Sequence, residues 1–241
     1  MCRNDACPNG QADLPSVPRL RHGQPVQAYA DTAGAISALH WVPGLSPADP
    51  GPPLLISAAG STLTIWLTDR AEPLHTYHAQ GAIIALAWRR DRRVVAAGKQ
   101  DASVQTWTFP AQSDLVMDGY STKVRELTWD AGGRWLATGG STVVTVWDWS
   151  AGTPEGSTPF SLDAHLDLVS ALAFQYLGPY LASGGVDSRV YLWNIAQSEY
   201  PLAYSKIAAP ISRVAWSPDD TLVAISADDG MVRVCRTLSE K

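Results

Sequence analysis

The chain has 241 residues, of which 46% are hydrophobic and 17% charged, with a formal net charge of −5 and a pI near 5.4. That length buries a substantial core as one domain, and the acidic balance argues against general binding to phosphate backbones, which needs a basic face. Three cysteines make no disulfide framework, and no stretch approaches the ~18 uninterrupted apolar residues of a membrane helix.

Residues 1–24 carry Pro, Asn, Gly and charge without periodicity and read as a disordered leader. They hold no apolar core of a signal peptide, and Cys2 and Cys7, spaced CxxxxC with no second pair, make no zinc site. Residues 25–30, PVQAYA, alternate as an outer strand, as do PLHTYH at 73–78 and PLAYSK at 201–206.

The first repeat has ISALHW ending at Trp41, LLISAAG, and LTIW ending at Trp66. Five prolines within 43–53 forbid strand pairing there and predict a long exposed loop. The second repeat runs from IIALAW, ending at Trp88, to VQTW, ending at Trp107, with Arg89, Arg90, Asp91, Arg92 and Arg93 in a tight, solvated turn. The third has VRELTW at Trp129, DAGG at the corresponding turn and VTVW at Trp147, followed by a flexible linker at 150–159. The fourth has VSALAF at Phe174, YLASGG, and VYLW at Trp193. The fifth has ISRVAW at Trp216, SPDD at 217–220, LVAISADD, and VRVC at Cys235.

Two aromatic series therefore recur about every 40 to 47 residues, and eight of the ten tryptophans belong to them. A period of that size with four short strands per unit is the signature of propeller blades. On these residues the chain resembles the WD-repeat β-propeller family over about 25–236, most of its length. The expected fold is all-β, a disordered leader at 1–24 followed by a propeller over 25–241. About five four-stranded blades are present, and two arrangements fit: a closed five-bladed ring, with 25–30 completing the last blade, or part of a seven-bladed ring.

The fourth repeat matches the family pattern best. The resemblance implies that His165, Ser183, Asp187 and Trp193 form a buried structural tetrad of hydrogen bonds rather than a catalytic triad. The terminal Trp-Asp dipeptide survives as Trp147-Asp148. Elsewhere the pattern departs. Thr32, Ala79, Tyr120 and Ile207 stand at the His position, and Gly60 and Ser141 replace the turn Asp that persists as Asp101 and Asp229. Cys235 takes the place of a strand Trp and is expected to be buried.

No phosphate loop with a Lys, no HExxH and no GxSxG elbow is present. His75 and His78 have odd spacing on a strand and point to opposite faces, away from a shared metal. The chain is expected to have no catalytic residue, no cofactor and no metal. The resemblance implies a protein-protein interaction scaffold, cytoplasmic, whose partners are proteins or peptides rather than nucleic acid or membrane. The implied partner-binding face carries Lys99, Gln100, Tyr120, Lys123, Leu166, Leu168, Val186 and Asp228. Two alternatives stand beside it: a propeller-type hydrolase, which would gather acids and histidines in the channel, and a truncated propeller without independent function. The first strands carry mostly Ser, Ala, Leu and Val, with Arg125, Glu126 and Arg213 as exceptions.

Overall fold

The computed structural model describes residues 34–42, 53–109 and 113–237. The leader at 1–24, the outer strand expected at 25–30, Thr32 and most of the proline loop lie outside the described residues.

Alternation of apolar and polar residues, broken by turn residues, gives nineteen strands among the described residues. Sheet one holds β1 (Ile36–Val42), β2 (Leu54–Ala59), β3 (Thr62–Leu67) and β4 (Pro73–His78); sheet two holds β5 (Ile83–Trp88), β6 (Val94–Lys99), β7 (Val104–Thr108) and β8 (Asp114–Met117). Sheet three holds β9 (Glu126–Trp129), β10 (Trp135–Gly139), β11 (Val143–Asp148) and β12 (Phe160–Asp163). Sheet four holds β13 (Val169–Phe174), β14 (Leu181–Gly185), β15 (Arg189–Trp193) and β16 (Ala203–Lys206). Sheet five holds three strands, β17 (Ile211–Trp216), β18 (Leu222–Ala227) and β19 (Val232–Arg236). Each sheet is an antiparallel meander in chain order.

The sheets stack face to face in sequence, and four apolar cores fill the four joints. Trp88 closes the first core, between sheets one and two. Trp129 does the same between two and three, Phe174 between three and four, and Trp216 between four and five. Each aromatic ends an inner strand, which explains that series: a large ring at that place fills the gap between neighbouring sheets, contributing about 1.5–3 kcal/mol when fully buried. The indole N–H groups also reach across. Trp216 donates to the carbonyl of Ala173 at 2.9 Å, and Trp129 to that of Ala87 at 3.3 Å.

A bulge recurs at the second residue of the inner strand in sheets one, two, four and five. Such a bulge re-aims a side chain. In sheet one it turns the Ser37 hydroxyl to donate to the carbonyl of Ile83, at 2.7 Å; in sheet four it turns Ser170 to the carbonyl of Ile211. Ser212, at the same place in sheet five, bonds instead to Ser226 of its own sheet, at 2.8 Å.

The outermost faces of the series differ from the joints. On β1, Ile36, Leu39 and Trp41 are 50%, 62% and 58% exposed, whereas their counterparts on β17, Ile211, Val214 and Trp216, are buried. On β19, Val232 and Val234 are 65% and 60% exposed. Val190, which holds the place of Val232 in sheet four, is buried against sheet five.

Candidate functional site

The loops entering the inner strands and the turns between second and third strands lie together on one face. A repeated main-chain bond holds them: Gln100 N–H donates to Ala82 O, Val186 N–H to Leu168 O and Asp228 N–H to Pro210 O, at 2.8–3.0 Å. Bonds between sheets add to it, with Ile83 N–H on Gly60 O, Val124 N–H on Lys99 O and Val169 N–H on Ser141 O.

In sheet four, side chains lock this face further. The Asp187 carboxylate accepts from His165 Nδ1 at 3.2 Å, from the Leu166 N–H at 2.8 Å and from the Arg189 N–H at 3.0 Å. His165 Nε2 accepts from the Ser183 hydroxyl at 2.8 Å, and that oxygen accepts from Trp193 Nε1–H at 2.8 Å. Burial pushes His165 below its ordinary value, partly offset by the carboxylate. A neutral ring protonated on Nδ1 satisfies every one of these bonds. Gly185 is required here, because a Cβ would come within 2.5 Å of His165 Nδ1 and 2.6 Å of Asp187 Oδ1. The chain His165–Ser183–Trp193 leads into a packed interior, and Trp193 is fully buried. Ser183 is itself fully buried, and the group ties a loop to a strand.

The other sheets keep parts of the arrangement. In sheet three, Tyr120 replaces the His and Thr138 the Ser. The Tyr120 hydroxyl accepts from Trp147 Nε1–H at 2.8 Å and from the Thr138 hydroxyl at 3.1 Å. Its phenol is pushed up by burial. Tyr120 was expected as an exposed contact residue; its hydroxyl instead anchors the third strand of its own sheet. In sheet two the Ser and His positions are Ala97 and Ala79, and Lys99 stands where sheet four has Gly185. The long side chain turns inward, 2% exposed, and its ammonium pairs with Asp101 at 3.3 Å. Lys99 is therefore not part of an accessible binding face, contrary to expectation: with no His in the way, its stem is drawn into the space. Asp101 is held below the usual carboxylate range, first by the Ser103 hydroxyl and then by Lys99. In sheet one, Trp66 Nε1–H donates to Ser57 at 2.8 Å. Sheet five has Ile225 and Cys235 in the Ser and Trp places, and Cys235 is exposed rather than buried.

Gln100, Lys123, Leu166, Leu168, Val186 and Asp228 remain exposed on this face. Leu166, Leu168 and Val186 stand close around sheet four, Leu166 being 71% exposed. Their loops are those fixed by Asp187 and by the Val186–Leu168 bond.

The opposite face carries the arginine turn. Two of its cations, Arg89 and Arg90, are engaged. Arg89 pairs with Asp91 at 2.7 Å and lies over the rings of Trp129 and Trp149, 5.6 and 5.8 Å from their centroids. Arg90 reaches past sheet three to the carbonyl of Tyr176 at 3.0 Å. Arg213 likewise crosses from sheet five to Glu126 of sheet three at 3.2 Å. Burial raises the Glu126 carboxyl against the opposing effect of Arg213. These ties were not legible in the repeats, because each skips one sheet. Between the inner strands lies a cavity of about 480 Å³ whose polar lining includes His40, Arg90, Asp130 and Gln175. Asp130 already accepts from the N–H groups of Gly132 and Trp135. Among the described residues no group of three or more His, Cys, Asp or Glu could hold a metal ion.

The sequence matches the family described as WD domain, G-beta repeat, over residues 112–148, 156–194 and 205–235. It is 25% identical over 168 residues to Protein FIZZY-RELATED 2 of Arabidopsis thaliana, covering 68% of this chain and 34% of that protein. It is 26% identical over 173 residues to the F-box-like/WD repeat-containing protein TBL1X of Mus musculus, covering 65% and 32%. Over 187 residues it is 26% identical to Protein HIR1 of Cryptococcus neoformans, covering 67% and 21%. The chain thus spans about a third or less of the length of these curated relatives. With the repeated meanders, the tetrad in sheet four and its partial copies elsewhere, these matches show that the chain carries WD40 repeats and that its sheets have a propeller-like arrangement.

Proposed function

We propose that this chain is a non-catalytic scaffold that binds a protein or peptide through the loop face around blade four. One observation carries the reading: three exposed aliphatic side chains, Leu166, Leu168 and Val186, stand on loops fixed by the buried tetrad. Apolar groups held rigid in water lose little entropy when a partner covers them, and propeller loops on a stiff frame suit recognition. Lys123 and Asp228 add charge at its rim. The absence of a basic surface in the composition favours proteins over nucleic acid. The exposed thiol of Cys235 and the lack of a disulfide framework fit a reducing compartment, and we place the protein in the cytoplasm.

A hydrolase would need carboxylates free to act in the channel. Glu126 is engaged by Arg213 and Asp130 by its own turn, which favours the scaffold. The exposure of Ile36, Leu39, Trp41, Val232 and Val234 favours an open arc of five blades over a closed five-bladed ring.

The test is photo-cross-linking in cells, with a benzophenone amino acid in place of Leu166 and, for comparison, of Leu177 on the opposite face. Cross-links to other proteins at Leu166 that vanish when Val186→Glu is added are expected. Equal labelling from both positions, or none from Leu166, would sink the proposal.

A further inference from the structure

The two ends of the arc carry the two halves of a joint. Blade five presents Ala215, Ala224, Val232 and Val234, matching Ala173, Ala182, Val190 and Leu192, the surface of blade four that blade five covers. Blade one presents Ile36, Leu39 and Trp41, matching Ile211, Val214 and Trp216, the side chains that do the covering. The hydrogen-bonding groups match too. Ser170 donates to the carbonyl of Ile211 across the joint of blades four and five, and Ser212, the corresponding donor, bonds only within its own blade, to Ser226. The carbonyl of Ala173 accepts from Trp216, and that of Ala215 is its counterpart, with Trp41 the corresponding indole.

We infer that two copies of this chain associate head to tail, blade one of one copy seating on blade five of the other. The joint repeats the one between blades four and five: the second copy's Ile36, Leu39 and Trp41 cover Ala215, Ala224, Val232 and Val234. Ser212 turns from Ser226 to the carbonyl of the second copy's Ile36. The inference rests on the open-arc reading and is independent of the loop face.

The same halves could meet within one chain only if the arc tightened. Its curvature is set by four packed cores, which do not deform continuously, and by the ties from Arg213 to Glu126 and from Arg90 to Tyr176. A second copy meets the exposed faces with every joint left as it is. The contact is heterologous, so the assembly grows until rotation closes it.

The experiment is light scattering on the full chain after size-exclusion chromatography, over a wide concentration range. The wild type is expected at twice the chain mass or more. Leu39→Glu with Trp41→Glu breaks one half and Val232→Glu with Val234→Glu the other; each variant is expected to be monomeric. Mixed in equal amounts, they form a one-to-one complex through the single intact pair of faces. These side chains stand in water in the single copy, so the variants keep the wild-type fold, checked by circular dichroism. A wild type that stays monomeric at every concentration overturns the inference, as do variants that still self-associate or a mixture that stays monomeric. The difference in fluorescence between wild type and Trp41→Phe then separates the causes. A buried emission for Trp41 in a monomer means the ring closes on itself and the open arc fails; a water-exposed emission leaves the arc and removes only the pairing.

Discussion

Blades four and five share a pleat, a register and a joint, yet differ in how their third strands are held. In blade four, β15 is fastened at one end by Trp193, Ser183, His165 and Asp187, and its ring lies wholly inside. In blade five, Ile225 and Cys235 break that chain of bonds, and every residue of β19 is exposed. Blade five is secured elsewhere. The Asp220 carboxylate accepts from the N–H groups of Tyr176, Leu177 and Gly178 at 2.7–2.9 Å, and Gln175 donates back to the Asp220 carbonyl. One blade is thus anchored through its own interior and the next through its neighbour's turn. A repeat can lose its internal network and stay in place where the joint is strong, in keeping with the nearest-neighbour energetics of repeat proteins.

The largest way to break the contrast is at the strand aromatic. Trp193→Ala empties a fully buried site and is expected to cost about 3–5 kcal/mol in urea unfolding, whereas Cys235→Ala, at an exposed site, is expected to stay within about 0.5 kcal/mol. Equal losses would mean that β19 packs as β15 does. Next in size is Asp220→Ala, which strips three N–H groups of a charged acceptor and is expected to cost about 1.5–3 kcal/mol. Native-state hydrogen exchange would show blade five opening first in that variant; uniform opening would contradict its role as a local clamp.

The smallest effect is the pH dependence from His165. Burial holds its pKa below the ordinary 6.5, so between that value and the folded one the unfolded chain binds the extra proton. The stability from the neutral ring is complete above about pH 6.5 and is lost as pH falls toward the folded pKa. The melting temperature of the wild type is therefore expected to drop on acidification, and His165→Gln to drop less. An unchanged slope in the variant would assign the effect elsewhere, His40 being the other histidine among the described residues that burial depresses.

How far the sequence reached can be judged at particular positions. Alternation and the two aromatic series mark the strands and the blade period, because the pleat alternates faces locally and each joint needs one large ring at a fixed place. The tetrad of blade four was legible for the same reason: all its members lie within one repeat. Lys99, Tyr120 and Cys235 were misplaced because their surroundings are not in the pattern. Lys99 turns inward only because the neighbouring His position is Ala79; Tyr120 is drawn in by Trp147 and Thr138; Cys235 has no Ser or His to hold its strand. Local periodicity therefore determined what each strand is and which face it buries. Tertiary structure alone decided which faces find a neighbour, since the ties of Arg90 and Arg213 and the bare faces of blades one and five depend on how far the packed joints bend the series, a property summed over sheets and written in no single repeat.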